Sequence, residues 1–130
     1  MTIQISRGRR EGTGSGQRSD TFTGTVFADS LLEATDGVMI NSVLFEPGAR
    51  TYWHSHENGQ VLHVTSGQGR IASRGGPVTT IDVGDTIHIP PGEEHWHGAG
   101  SDTYMVHIAI SLGKADWLDE VSDADYGGTA

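Results

Sequence analysis

The stretch of sequence that decides the fold is GARTYWHSHENGQVLHVTSG, residues 48–67. Short runs rich in β-forming residues alternate here with turn residues, and the same alternation continues as far as residue 111. The chain also contains 19 glycines, and tight turns between strands need residues that tolerate positive φ. The chain of 130 residues is therefore predicted to be all-β, with one domain.

Four polar side chains in and after this stretch are predicted to converge on one site. His54 and His56 are two residues apart on a predicted strand, so both imidazoles leave the same face. Gln60 follows a turn and can reach that face from the next strand, and His95 comes from a distant strand after a Pro-Gly turn. Three imidazoles and one amide oxygen predict a site for a divalent first-row metal ion with open positions for water or substrate.

The spacing of these residues resembles the two paired motifs of the cupin superfamily. The chain departs from the family pattern at Gln60, where glutamate is usual, and at Ala99, where asparagine is frequent. The resemblance implies the cupin fold, a double-stranded β-helix (jelly-roll barrel). The matching positions are Gly48, His54, His56, Gln60 and Gly67 in the first motif, and Gly84, Pro90, Gly92 and His95 in the second.

Longer segments resemble one cupin group in particular, the small bacterial manganese-dependent hydroxynitrile lyases, or (R)-mandelonitrile lyase-like cupins. The similar segments include FEPGARTYWHSH (45–56), PGEEHWHGA (91–99) and MVHIAI (105–110). The resemblance implies one divalent ion per subunit, Mn²⁺ first, with Ni, Zn, Fe and Co as alternatives. The metal ligands that it implies are His54, His56, Gln60 and His95.

The same resemblance implies a lyase that cleaves cyanohydrins such as mandelonitrile to an aldehyde and cyanide, or forms them. The metal would act as a Lewis acid on the hydroxyl, and His97 or His107 would act as the base. Gln60 suits this chemistry, because a neutral amide, unlike a carboxylate, cancels none of the positive charge of the ion. It also replaces the carboxylate that is part of the ligand set of non-haem iron oxygenases. Two alternatives stay open: another metal-dependent cupin enzyme, such as a dioxygenase or isomerase, and a non-catalytic small-molecule-binding cupin.

The remaining histidines divide into two kinds. His97 is two residues from His95 and is predicted to point into the same cavity. His107 shares a strand face with two apolar residues, and if that face is inward its ring lies near the metal. Either histidine can carry a proton at neutral pH or orient a ligand by a hydrogen bond. His63 and His88 are predicted to lie at the surface or at an interface.

Strand alternation also places several neighbours of these histidines. Asn41, Val43 and Ser111 are predicted to shape the cavity, because they lie on strands next to the motifs. Trp53 and Trp96 flank metal ligands and should point away from the metal. We expect the two indoles to pack in the core or at an interface.

The ends of the chain carry weaker patterns. Residues 1–20 are rich in Gly, Ser and Arg, and we interpret them as an N-terminal arm packed on a partner subunit, ahead of a single cupin domain at 21–130. The strand around 22–27 could add to a partner's sheet. A short C-terminal helix is predicted over 114–121, with Trp117 and Val121 facing inward.

Composition limits the classes of function. The chain has no cysteine, which excludes disulfides and thiolate metal sites. Its net charge is −9, and four of its eight basic residues lie in the first 18 positions, whereas a nucleic-acid binder needs a basic face. We expect a small-molecule substrate, no nucleic acid or membrane partner, a cytoplasmic location, and a homodimer or homotetramer that covers exposed sheet edges.

Overall fold

The computed structural model describes residues 2–8 and 14–128. These residues form twelve β-strands and one short helix, α1 (Asp123–Gly127). The strands are β1 (Gly16–Arg18), β2 (Phe22–Thr23), β3 (Val26–Thr35), β4 (Val38–Phe45), β5 (Arg50–Thr51), β6 (His54–His56), β7 (Gln60–Ser73), β8 (Thr79–Asp82), β9 (Thr86–Ile89), β10 (His95–Ala99), β11 (Met105–Leu112) and β12 (Ala115–Trp117).

The strands pair antiparallel and curl into a near-closed barrel, in the order β1-β3-β4-β11-β7-β10-β5-β2. The 14-residue β7 serves both halves of the barrel, since its start pairs with β9 and its later part with β8. It passes Gly67 at a positive φ of 74°, where a Cβ would collide with the carbonyl of Tyr104. Only glycine permits this close approach. The predicted all-β jelly-roll barrel is confirmed.

Strand β11 shows how alternation separates the core from the surface. Met105, His107, Ala109 and Ser111 are buried, whereas the residues between them are half-buried. The strand face that carries His107 is therefore the inward one, which is the condition under which its ring lies near the predicted metal site. Met105 joins an apolar cluster that fills the barrel, together with Val26, Ala28, Val43, Phe45, Ala49, Val64, Ile81 and Ala99.

The helix predicted over residues 114–121 is wrong in its position. This segment contains β12, which pairs with the ligand-bearing strand β6, and the short C-terminal helix follows as α1. Strand β6 has only three residues, and β12 covers the edge that faces away from β10. Pairing with a distant strand thus outweighs local helical propensity. Val121 is buried as predicted, but Trp117 is 39% exposed.

Helix α1 braces the barrel wall beside the predicted metal site. It begins after Ser122, whose side chain accepts a hydrogen bond from the backbone N–H of Asp125. Its buried Tyr126 donates a hydrogen bond from the phenol to the carbonyl of Ala99, at 2.6 Å. The same ring lies 5.5 Å from the ring of Trp96, so the helix packs directly on β10.

The N-terminal region contributes short strands to the barrel of its own chain. Strand β1, within the predicted arm, pairs with β3, and β2 pairs with β5. That the arm packs on a partner subunit stays a prediction, and Arg9 and Arg10 lie outside the described residues. Among the residues that the structure describes, no helix is long and apolar enough to cross a membrane.

Candidate active site

Strand pairing brings the four predicted metal ligands to one place. His95, at the start of β10, is in register with His54, at the start of β6. His56 leaves β6 on the same face, two residues on, and Gln60 opens β7. All four side chains are buried, with at most 4% of their surface exposed.

Distances confirm that these side chains converge. The imidazole centroids of His54 and His95 are 4.2 Å apart, and those of His54 and His56 are 5.0 Å apart. The side-chain oxygen Oε1 of Gln60 lies 3.1 Å from Nε2 of His95. The structure therefore brings the predicted set together, while its occupation by a metal stays a prediction.

Backbone carbonyls set the tautomers of two of these histidines. Nδ1 of His54 lies 2.9 Å from the carbonyl oxygen of Tyr52, and Nδ1 of His95 lies 2.9 Å from that of Glu93. A carbonyl can only accept, so in each ring Nδ1 carries the proton and donates it. Nε2 then presents a lone pair, as a metal-ligating histidine requires.

The donor set has the properties expected of a cation site. Gln60 donates from Nε2 to the hydroxyl of Ser111 at 3.0 Å, which leaves its Oε1 facing the Nε2 lone pair of His95. Two acceptors at 3.1 Å repel each other unless a cation or proton lies between them. Both ring nitrogens of His56 are buried without a hydrogen-bond partner, which is costly in a protein without a bound ion. The residues present therefore fit a divalent metal.

His97 lies closer to this centre than the sequence indicated. In the part of the chain that the structure describes, His54, His95 and His97 each place a ring nitrogen within 4.8 Å of the others. This compact triad includes His97 and leaves out His56. A single metal site is the arrangement that such a three-histidine cluster suggests, and His97 is a further candidate ligand within it.

His97 and His107 form a hydrogen-bonded pair. Nε2 of His107 lies 2.9 Å from Nδ1 of His97, so one ring donates an N–H to the other. The outer nitrogens, Nε2 of His97 and Nδ1 of His107, are buried without partners. Phe45 packs edge-on against both rings. One N–H thus lies between two imidazoles that have no other side-chain hydrogen bonds, and the second N–H is on the outer nitrogen of the accepting ring.

Burial lowers the pKa of every histidine in the site, because a charged imidazolium loses its hydration there. The pKa falls to about 4 for His56 and for His107. The pKa is lowered well below its ordinary value for His54 and His97, and is also lowered for His95. All five rings are therefore neutral at pH 7, and each has one lone pair. In the His97–His107 pair one of these lone pairs accepts the hydrogen bond between the rings, so only the donating ring has a free one.

A cavity of about 150 Å³ opens onto four of these histidines, which are His54, His56, His97 and His107. Asn41, Val43 and Ser111 line it, as the sequence predicted. The sequence interpretation missed several other lining residues, among them Phe22, Met39, Thr51 and Trp117.

The missed residues differ in how far the sequence could have indicated them. Met39 continues the alternation of Asn41 and Val43, so the strand pattern already contained it. Trp117 was assigned to a helix, and Thr51 and Phe22 reach the cavity through the pairing of distant strands.

The side chains predicted to lie outside the site do so. His63 and His88 are exposed, and Nδ1 of His63 lies 2.8 Å from the hydroxyl of Thr86. Trp53 and Trp96 are buried in a separate apolar cluster with Ala72, Val121 and Tyr126.

The fold and the site can be compared with known proteins. Residues 41–111 match the family model described as cupin domain. The chain belongs to the cupin family. Over 95% of its length this cupin is 46% identical to an (R)-mandelonitrile lyase from Granulicella tundricola, of which it covers 98%. The resemblance stated from the sequence motifs is thereby confirmed, and the similarity to a lyase supports enzyme activity.

Solved structures agree on the architecture. A cupin-like protein from Thermotoga maritima is 39% identical, with a TM-score of 0.82, and the match covers 98% of this chain and 96% of that one. The polyketide cyclase RemF from Streptomyces resistomycificus is 18% identical, with a TM-score of 0.71, and the match covers 97% of this cupin and 91% of RemF. The second similarity shows the shared fold alone.

Proposed function

We propose that this cupin is a metal-dependent lyase that cleaves cyanohydrins such as mandelonitrile to an aldehyde and cyanide, or forms them in reverse. The observation that carries the proposal is the neutral His97–His107 pair, hydrogen-bonded at 2.9 Å beside a cluster of buried side chains that could hold a metal ion. The similarity to an (R)-mandelonitrile lyase along nearly the whole chain supports the same reaction class.

Four residues would hold the metal, one ion per subunit. They are His54, His56, Gln60 and His95, and Mn²⁺ is the proposed ion, with Ni, Zn, Fe and Co as alternatives. When bound, the ion supplies Lewis-acid chemistry at the oxygen of the cyanohydrin. The proposal is supported by the neutral rings, by the fixed Nδ1–H tautomers and by the facing lone pairs of His95 and Gln60.

The His97–His107 pair would accept the hydroxyl proton of the substrate and later return it. A neutral imidazole with a lone pair can accept the hydroxyl proton, and the bond between the carbinol carbon and the nitrile carbon then breaks. Its electron pair leaves with cyanide, while an oxygen electron pair forms the carbonyl. The imidazolium stabilises the departing anion and returns the proton to it, so that the products are aldehyde and HCN.

The size of the cavity suits a small aromatic substrate. Its volume is about 150 Å³, and cavities of about this volume in other proteins bind benzene. The histidines and Gln60 supply polar groups, and Val43, Phe45 and Ala109 supply apolar surface. An aryl cyanohydrin has the matching division into a polar carbinol and an apolar ring.

We also propose that the protein acts in the cytoplasm as a homodimer or homotetramer, without nucleic-acid or membrane partners. Residues 1–20 would form the arm that packs on a partner subunit, and residues 21–130 the single cupin domain. Support for the arm comes from Ile3 and Ile5, which are 89% and 62% exposed in the single chain. A partner surface would remove these apolar side chains from water.

Elemental analysis combined with a mandelonitrile assay tests the proposed function. We expect one divalent ion per chain, release of benzaldehyde by the loaded protein, loss of activity after chelation, and recovery with Mn²⁺. Full activity in a protein shown to be metal-free would overturn the metal dependence. Mandelonitrile decay at the uncatalysed rate with loaded protein would overturn the reaction.

A further inference from the structure

The opening of the cavity is lined by apolar side chains that have no proposed role as a metal ligand or as the catalytic base. Phe45 and His107, inside the cavity, have no exposed surface, whereas Met39 and Trp117 are each 39% exposed. This gradient places Met39 and Trp117 at the opening. Trp117 is informative because of its place rather than its exposure, since large apolar side chains grouped at the rim of a cavity are frequent contact surfaces for ligands.

The ring of Trp117 is held in place on one side. Its face stacks on the imidazole of His54, with centroids 4.4 Å apart and planes 26° apart. The ring centroid of Phe22 lies 5.9 Å from that of Trp117. Strand β12 fixes the backbone beneath it, because Trp117 is in register with His54. A large flat surface is therefore pre-positioned between the candidate metal ligands and the solvent.

We propose that Trp117 is the specificity-determining residue of this cavity, and that its ring selects cyanohydrins that carry a flat aromatic group. The inference rests on the proposed function and adds to it the wall against which the substrate packs. With the carbinol at the histidines, the substituent of the substrate extends toward the mouth. There it meets Trp117, with Phe22 and Met39 beside it. Aromatic pairs gain attraction beyond their buried area, which an aliphatic substituent does not obtain.

Two variants separate aromatic contact from simple bulk. Trp117→Phe keeps a flat ring at the mouth, and Trp117→Leu keeps only apolar volume. We expect Trp117→Leu to lower kcat/KM for mandelonitrile about tenfold, mainly through KM, because the contact is made in ground state and transition state alike. For acetone cyanohydrin the change should stay within about threefold, and Trp117→Phe should retain most of the aromatic preference.

Metal content must be measured in each variant, because Trp117 also touches His54. Retention of the ion in Trp117→Leu, together with the altered substrate preference, supports the proposal. Loss of the ion, or an equal loss of activity toward both substrates, would show that Trp117 acts only through His54 and would overturn it. An unchanged preference in Trp117→Leu would overturn it as well.

A binding measurement decides the inference even if no cyanohydrin is cleaved. The chain contains three tryptophans, so 5-fluorotryptophan labelling gives three ¹⁹F resonances, and Trp117→Phe identifies one of them. In zinc-loaded protein, benzyl alcohol should shift the Trp117 resonance and leave those of Trp53 and Trp96 in place, while 2-propanol should shift none. If the Trp117 resonance does not shift when benzyl alcohol is added, the aromatic contact is overturned, whatever the outcome for the lyase reaction.

Discussion

Two groups of histidines lie side by side in the candidate site and differ in what holds them. His54 and His95 donate from Nδ1 to backbone carbonyls, so their tautomers are set by the main chain. His97 and His107 are hydrogen-bonded to each other, and their outer nitrogens have no partners. A ring fixed by the main chain is suited to present a lone pair permanently, whereas a ring bonded to another imidazole can exchange a proton.

The largest expected effect comes from removing a histidine of the first group. His54→Ala or His95→Ala should lower metal affinity by at least about 100-fold, since loss of even a supporting partner costs about 10- to 100-fold. Lyase activity should be lost with the ion. Isothermal titration with Mn²⁺ after chelation measures the affinity. A His95→Ala protein that binds the ion as tightly as the wild type would contradict the ligand assignment.

Removing a histidine of the second group should give the opposite pattern. His97→Ala and His107→Ala should keep the ion but lower kcat about 10²- to 10⁴-fold, the usual contribution of a general base. Steady-state kinetics on metal-loaded protein measures the loss. Unchanged cleavage in both variants would remove their assigned roles. Loss of the ion in His97→Ala alone would instead move His97 into the ligand group, in line with the compact triad that it forms with His54 and His95.

The second group should also make the metal-free protein sensitive to acid. Burial lowers the folded-state pKa of His107 to about 4, while an unfolded histidine titrates near 6.5. As the pH falls, the unfolded chain therefore takes up a proton first. The contribution of His107 to the free energy of unfolding is therefore complete above about pH 6.5 and is lost progressively as the pH falls toward about 4. Below that pH the contribution changes no further, and the total loss is about 3 kcal/mol.

Urea unfolding of chelated protein at several pH values measures this dependence. His107→Gln is the matched control, because an amide does not titrate in this range. Its free energy of unfolding should fall by about 3 kcal/mol less than that of the wild type across the same interval. Parallel pH profiles for the two proteins would show that His107 is not buried in its neutral form.

The difference between the groups also shows how far sequence reasoning reaches. Two-residue spacing correctly indicated that His54 and His56 share a face, and alternation correctly grouped His107 with Met105 and Ala109 on one face of its strand. Both inferences need only the period of a strand. The carbonyls of Tyr52 and Glu93 that set the tautomers were not predicted, because a backbone carbonyl leaves no mark in the side-chain sequence.

The segment Ala115–Trp117 shows the other limit. Its local composition favours a helix, but it forms a strand because the short edge of β6 is available for pairing. That edge exists only after the barrel has assembled, so no window of neighbouring residues contains the information. The same error hid Trp117 from the predicted cavity lining, since a helical residue there would not lie over His54.

The smallest expected effect concerns Gln60, which is held by a side chain where the two fixed histidines are held by the main chain. Its Nε2 donates to Ser111 at 3.0 Å, and this bond keeps Oε1 turned toward His95. In Ser111→Ala the amide can rotate and present its N–H₂ group to the ion, so Mn²⁺ affinity should fall about tenfold. Ser111→Thr retains the hydroxyl, and its Mn²⁺ affinity should stay within about twofold of that of the wild type.

Titration of both variants with Mn²⁺ compares them directly. Equal affinities in Ser111→Ala and the wild type would mean that Gln60 is oriented by packing alone, or that its oxygen does not reach the ion.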